Sequence, residues 1–210
     1  MDAIKDMDND KSPGLDGIPA EFYKTFVNKL APFFIRNFNE ILKKMGREIK
    51  TGAITLISKE ISLLCTDYKL IAKIITNRLK KVKAICLNPY QTGALPMRSI
   101  ETNLCTIRTV ILDSPSTIPG AIIVLDFQKA YDMVDRSVLY RVLTGFGFSA
   151  TFVNLIRTLY EDSFARIILN GEVGEEIDMS RGLKQGGPLA AILYLLCIEP
   201  LHLKISNTIK

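Results

Sequence analysis

Histidine is nearly absent from this chain: His202 is the only one among 210 residues. The four cysteines, Cys65, Cys86, Cys105 and Cys197, lie far apart with no CxxC pair. Zinc-knuckle and zinc-finger spacings, which cluster Cys and His ligands, are therefore excluded. The thiols are expected to be buried, in a reducing compartment. Long apolar runs are also lacking. The longest uncharged one, Leu189 to Ile198, has ten residues, too short to span a bilayer. The N-terminus carries no basic-plus-apolar signal sequence, so an intracellular location, nuclear or cytoplasmic, with no membrane partner is expected. Acids run out near the end: after Pro188 the chain has Glu199 and no aspartate.

What is present suits a soluble globular piece. The chain is 48% apolar and 23% charged, long enough for one large or two small domains, without repeats or low-complexity segments. Its formal charge is +5, and basic residues gather between Lys69 and Lys83. There Lys69, Lys73, Arg78, Lys80, Lys81 and Lys83 meet one nearby acid, Asp67. Such a cluster matches a nucleic-acid backbone, and a solvated helix face is the alternative.

Periodicity and punctuation predict an α/β (α+β) chain. A long helical region runs from Pro19 to Met45, with an interruption expected before Pro32 because the residue ahead of a proline is pushed out of helical geometry. A strand is predicted at Ala53 to Ser58. Asp67 is the expected N-cap of a helix to Val82, with Leu70, Ile71, Ile74, Ile75, Leu79 and Val82 at helical spacing. Ser99 similarly caps Ile100 to Leu112. Helices follow at Ser137 to Thr144 and Ser149 to Glu161, separated by Gly145 and Gly147. Asn170-Gly171 marks a hairpin between RIIL and EEIDM.

Two motifs point to chemistry. In the first, an apolar run from Ala121 to Leu125 follows a Pro119-Gly120 turn and stops on Asp126 in the stretch LDFQKAYD. It reads as a buried strand. An acid at the carboxyl end of such a strand is placed to bind a metal, though turn and cap aspartates look the same. The second motif is RGLKQGGPLA at Arg181 to Ala190, a basic glycine-rich loop whose Pro188 opens an apolar helical segment. Its backbone N–H groups could face phosphate. The loop fits neither the Walker nor the dinucleotide pattern, and a simple helix-opening loop is the alternative.

Together with KSPGLDGIPAEFYK (Lys11 to Lys24), ISLLCTDYKLIAKIITNRLKKV (Ile61 to Val82), QTGALPMRSI (Gln91 to Ile100) and LYEDSFARIILNG (Leu159 to Gly171), these motifs resemble the reverse transcriptase domain of non-LTR, long-interspersed-type retrotransposons, in the family's order. The resemblance implies a partial right-hand polymerase fold, with a helical fingers-like region at 1–112 and an incomplete palm sheet at 113–210. It implies RNA template and DNA primer as partners and Mg²⁺ as cofactor. Asp126 would be the first metal-binding carboxylate, and Phe127 would offer its backbone carbonyl to the same ion. Tyr131 would exclude a ribose 2′-hydroxyl. Gln185 and Gly186 would line the nucleotide and template pocket. Lys69, Lys73, Arg78, Lys80, Lys81 and Arg98 would contact nucleic acid.

The departures matter equally. The family's next motif, a hairpin with two adjacent aspartates, has no counterpart after Pro188, and two-metal phosphoryl transfer needs several carboxylates in fixed geometry. The Arg-Pro pair that contacts the triphosphate is missing near Ser58, Lys59 and Glu60, with Lys59 left in the place of the family's lysine. Ala190 and Ala191 replace Ser-Pro, and Met97 precedes Arg98 where the family prefers glycine. Met1 falls inside the family's first helix, so both ends look cut. The expectation is a domain remnant without polymerase activity of its own. A non-catalytic RNA- or DNA-binding module and an enzyme half completed by another chain are the other readings. Without the aspartate hairpin, AIIVL should present an unpaired edge and lower solubility.

Overall fold

A computed structural model describes residues 1–43, 50, 52–55, 61–93, 98–113 and 121–208. Among them lie eight helices and four strands, a mixed α/β arrangement. The order is α1 (Asp2–Lys5), α2 (Ala20–Thr25), α3 (Val27–Lys43), β1 (Gly52–Thr55), β2 (Ile61–Leu64), α4 (Thr66–Cys86), α5 (Ile100–Asp113), α6 (Arg136–Gly145), α7 (Ala150–Tyr160), β3 (Phe164–Leu169), β4 (Glu172–Asp178) and α8 (Ala190–Thr208). No helix among the described residues is long and apolar enough to cross a membrane.

The strands form one sheet in the order β2-β1-β3-β4. β1 pairs antiparallel with β2 and parallel with β3, and β3 pairs antiparallel with β4. Two strands before residue 112 and two after it thus share one sheet. The β3–β4 turn is the predicted Asn170-Gly171, with φ of 52° and 85°. Both residues are left-handed, as a two-residue hairpin with right-twisted strands requires.

α4 is the central element, because its sequence is apolar on two faces. Tyr68, Ile71, Ala72, Ile75 and Leu79 enter the main core with residues of α6, α7 and α8 such as Leu139, Leu143, Ile156 and Leu193. Leu70, with partly buried Ile74, enters a second core with Ile4, Tyr23, Leu30 and Phe34. Fully burying such a side chain contributes about 1.5–3 kcal/mol, which makes this helix the main tie between the two halves.

Local signals place several helix ends where expected. Asp135 caps α6, accepting from the N–H groups of Ser137 and Val138 at 2.8 and 3.2 Å. Ser149 caps α7 through the Phe152 N–H at 3.3 Å. α5 begins after Ser99 as predicted. α8 begins just past Pro188 and runs through Pro200.

Four expectations are corrected. Ala121 to Leu125 forms no strand; it is an exposed, irregular stretch with Ile123 and Val124 80% and 85% accessible. A strand needs a neighbour for its N–H and C=O groups, and none of the four strands lies beside it. The break in the 19–43 region falls at Phe26, and Pro32 sits inside α3. The bend at Phe26 lets Tyr23 of α2 and Val27, Leu30 and Phe34 of α3 share one apolar cluster. Asp67 lies within the first turn of α4, accepting from the Tyr23 hydroxyl, and the helix continues to Cys86. Of the cysteines, Cys65 is buried but Cys105 is exposed, because α5 buries none of its residues. The predicted strand is observed from Gly52 to Thr55, and its end at 56–58 lies outside the described residues.

Candidate functional site

The two sequence motifs fold against each other. The Gly182 N–H donates to the Val134 carbonyl and the Leu183 N–H to the Tyr131 carbonyl, both at 2.9 Å. Gly182 has φ +80°, and a Cβ there would meet the Asp132 backbone at 2.9–3.2 Å. Only glycine combines that dihedral with that approach.

Arg136, one residue past the α6 cap, locks this junction. Its Nε donates to the Gly182 carbonyl at 3.1 Å, Nη1 to the Tyr160 carbonyl at 2.6 Å and Nη2 to the Arg181 carbonyl at 3.2 Å. A buried guanidinium is costly unless its donors are used, and here they tie α6, the end of α7 and the glycine-rich loop together.

Gln185 points back across the loop, its Nε2 donating to Asp132 Oδ1 at 2.7 Å. Lys184 turns the other way. Its Nζ donates to the Lys50 carbonyl at 2.7 Å and stands 4.4 Å from the centroid of the buried Tyr68 ring. Burial, with Arg136 and Lys50 nearby, lowers its pKa to about 7. Gly52, Leu64, Phe164, Asp132, Lys184 and Gln185 are among the residues lining a cavity of about 270 Å³ at this junction. Gly186 follows, exposed, at φ +82°.

Asp126 and Phe127 lie exposed on the irregular stretch. Tyr131 stacks at a tilt on Tyr194 of α8, ring centroids 5.1 Å apart. Burial, then the nearby Tyr131, Cys197 and Asp126, raise the Tyr194 pKa. Among the described residues no three His, Cys, Asp or Glu side chains gather as a metal-binding group. Glu199, the one acid after Pro188, is fully buried in α8, where Oε1 accepts from the Asn88 N–H at 2.8 Å and Oε2 stands 3.5 Å from His202 Nδ1. An octahedral Mg²⁺ asks for several oxygens around one point. Among the described residues the donor set, Asp126 exposed and Asp132 taken by the Gln185 amide, does not fit an organised two-metal site.

The basic residues divide by environment. Arg78, Lys80 and Lys81 are exposed on α4, and Lys73 is half-exposed. At about 100° per residue, Lys69, Lys73 and Lys80 fall on one side of the helix. Lys69 is engaged, however, donating to the Ser12 carbonyl at 3.2 Å, and burial lowers its pKa. Arg98 is also engaged: Nη1 donates to the carbonyls of Asn88 and Gln91 at 2.9 and 2.7 Å, holding the turn after α4. Lys59 lies outside the described residues.

Sequence reasoning missed Asp132, Arg136, Tyr68 and Lys184. Asp132 sits inside the quoted motif, six residues after Asp126, and was legible as a second acid there. Arg136 and Lys184 carried no signal, since an isolated basic residue reads as solvent-facing.

A profile described as reverse transcriptase (RNA-dependent DNA polymerase) matches residues 57–209. The chain is 34% identical over 212 residues to the transposon TX1 uncharacterized 149 kDa protein of Xenopus laevis, covering 94% of this chain and 16% of that protein. It is 27% identical over 202 residues to the retrovirus-related Pol polyprotein from type-2 retrotransposable element R2DM of Drosophila melanogaster, covering 90% and 19%. A 27% match over 152 residues joins it to the Pol polyprotein of the type-1 retrotransposable element R2 of Popillia japonica, covering 71% and 21%. The chain thus spans about a fifth or less of the length of these relatives. With motifs in family order, a matching profile and these relatives, the chain belongs to the reverse transcriptase family, in the form carried by non-LTR retrotransposons.

Proposed function

We propose that this chain is a fingers-and-partial-palm portion of a polymerase fold that grips an RNA–DNA primer-template and does not polymerise with its own residues. The observation that carries the reading is where the acids stand: Asp126 is exposed, Asp132 is taken by the Gln185 amide at 2.7 Å, and Glu199 is buried under Asn88 and His202. Phosphoryl transfer by two metals needs several carboxylates converging on one point.

Binding survives without catalysis, because phosphate neutralisation supplies most non-specific affinity. Lys73, Arg78, Lys80 and Lys81 form the accessible part of the basic surface, and Lys69 and Arg98 act by shaping it. Phe127, Tyr131, Gln185 and Gly186 would line the nucleotide and template side, and Tyr131, whose ring packs on Tyr194, would be the sugar-excluding side chain. Lys59 would contact the phosphates of the nucleotide. RNA template and DNA primer are the proposed partners, in a nuclear or cytoplasmic setting.

The test is fluorescence anisotropy of a labelled RNA–DNA primer-template across a salt series. Affinity should fall steeply with salt, and each of Lys73→Gln, Lys80→Gln and Lys81→Gln should flatten the slope by about one. Salt-independent or undetectable binding would refute the grip.

One observation favours a second reading, an enzyme half completed by another chain: the exposed run Ile122 to Leu125 ends on Asp126 and has both edges free of the sheet. Primer extension decides between them. Incorporation that Asp126→Asn abolishes would establish the second reading.

A further inference from the structure

The chemistry of Lys184 is set by what surrounds its amine. Nζ donates to the Lys50 carbonyl at 2.7 Å and stands over the Tyr68 ring, contacts that favour a cation. Against them stand burial and two neighbouring cations, Arg136 and Lys50, while the Cys65 thiol acts for the charge. The buried Tyr160 acts on Tyr68 beneath the amine. Asp132 and Asp178 line the same cavity, but Asp132 is taken by Gln185 and Asp178 acts on Arg136. Burial wins: the pKa falls to about 7, so the nitrogen lone pair is free in the neutral range, where a solvated lysine is almost wholly protonated. A desolvated amine beside a cation is a nucleophile. Lys69 is also lowered by burial, but Asp16 there favours its charge. Lys184 is half-buried and lines the cavity of about 270 Å³, which has room for a small electrophile.

We propose that Lys184 is a modification site, a nucleophilic amine on the cavity wall that takes a small acyl group from a thioester. Its nitrogen attacks the thioester carbonyl carbon. The N–C bond forms, the C–S bond breaks with its electron pair going to sulfur, and the proton lost from nitrogen ends on the thiol. The surroundings select the acyl product over an imine. A neutral imine would leave the Lys50 carbonyl without its donor, and a protonated one would restore the charge that burial opposes. An amide is neutral and keeps one N–H for that carbonyl. This chemistry needs no nucleic acid.

The test treats the folded full chain with S-acetyl-N-acetylcysteamine between pH 6 and 9 and follows acetylation lysine by lysine by peptide mass spectrometry. Near neutrality Lys184 should react about tenfold faster than the exposed Lys80 and Lys81, a larger neutral fraction being partly offset by lower basicity. Its rate should level off above its pKa of about 7, whereas a solvated lysine amine keeps accelerating to pH 9 and beyond. In urea that unfolds the chain the preference should vanish. A rate at Lys184 no faster than at Lys80 and Lys81, or one still climbing at pH 9, would overturn the site. So would a preference that survives unfolding, since it would belong to the local sequence. The chain acetylated at Lys184 should stay folded and melt with the unmodified chain at pH 9; unfolding on acetylation would overturn the fit of the acyl group.

Discussion

Gln185 donates to Asp132 at 2.7 Å, adding a charge-assisted side-chain bond to the backbone bond by which the glycine-rich loop meets the LDFQKAYD motif 53 residues earlier. Asp132→Ala should cost about 1–2 kcal/mol in urea unfolding, because the amide loses a charged acceptor while remaining half-buried. Asp132→Asn, which keeps an acceptor oxygen, should cost less. Equal effects of the two would mean that the bond contributes nothing.

Arg136 is the more expensive residue to lose. Arg136→Ala leaves the carbonyls of Tyr160, Arg181 and Gly182 without its donors and opens space beside Tyr160. A loss of about 3 kcal/mol or more is expected from denaturant titration, given 1–3 kcal/mol for each buried group left unpaired. Arg136→Lys should recover little, since one ammonium cannot span three carbonyls on two segments.

Gly182→Ala combines a left-handed φ of +80° with a Cβ contact at 2.9 Å to backbone. Its melting temperature should fall by several degrees, on the order of 2 kcal/mol or more. Gly145→Ala is the control: a Cβ there meets nothing within 4 Å, and alanine stiffens the end of α6. That substitution should be neutral or slightly stabilising.

Stability should rise with pH above neutrality. Lys184 has its pKa lowered to about 7 in the folded chain, so above pH 7 the unfolded state binds the extra proton and deprotonation favours folding. The gain should build from about pH 7 towards the ordinary lysine value of 10.5. Tyr140 and Tyr160 act oppositely, being raised by burial from 10.0 to about 12, so their contribution is present below pH 10 and lost through pH 12. Urea midpoints measured from pH 6 to 9 should climb in the wild type and stay flatter in Lys184→Met. A wild-type midpoint that is constant over this range would contradict the assignment.

The run Ile122 to Leu125 should make the chain self-associate. Strand-forming apolar residues without a partner are a template for edge pairing. Val124→Lys, at a side chain 85% exposed, should reduce association in light scattering and leave the melting temperature within about 0.5 kcal/mol equivalent. Persistent aggregation of that variant would move the cause to the uncovered apolar side of α5, with Ile100, Leu104, Ile107 and Ile111 exposed.

What the sequence determined by itself is the set of features written within a few residues. Asn170-Gly171 makes its hairpin because both positions tolerate positive φ, and Asp135 and Ser149 cap their helices because a short side chain reaches the N–H groups two and three residues on. The family was legible too, since its motifs are contiguous strings. Only the tertiary structure decided the rest. AIIVL has every local property of a strand, yet a strand exists only with a neighbour, and none lies beside it. Asp67 looks like a cap until Tyr23, 44 residues away, takes its oxygen. The parallel pairing of β1 with β3 joins segments more than a hundred residues apart, where no local pattern reaches. Lys184 and Arg136 are charges, which alone would face water. Arg136 is buried and Lys184 half-buried because carbonyls and aromatic faces from distant elements meet them there, and that meeting is a property of the assembled core.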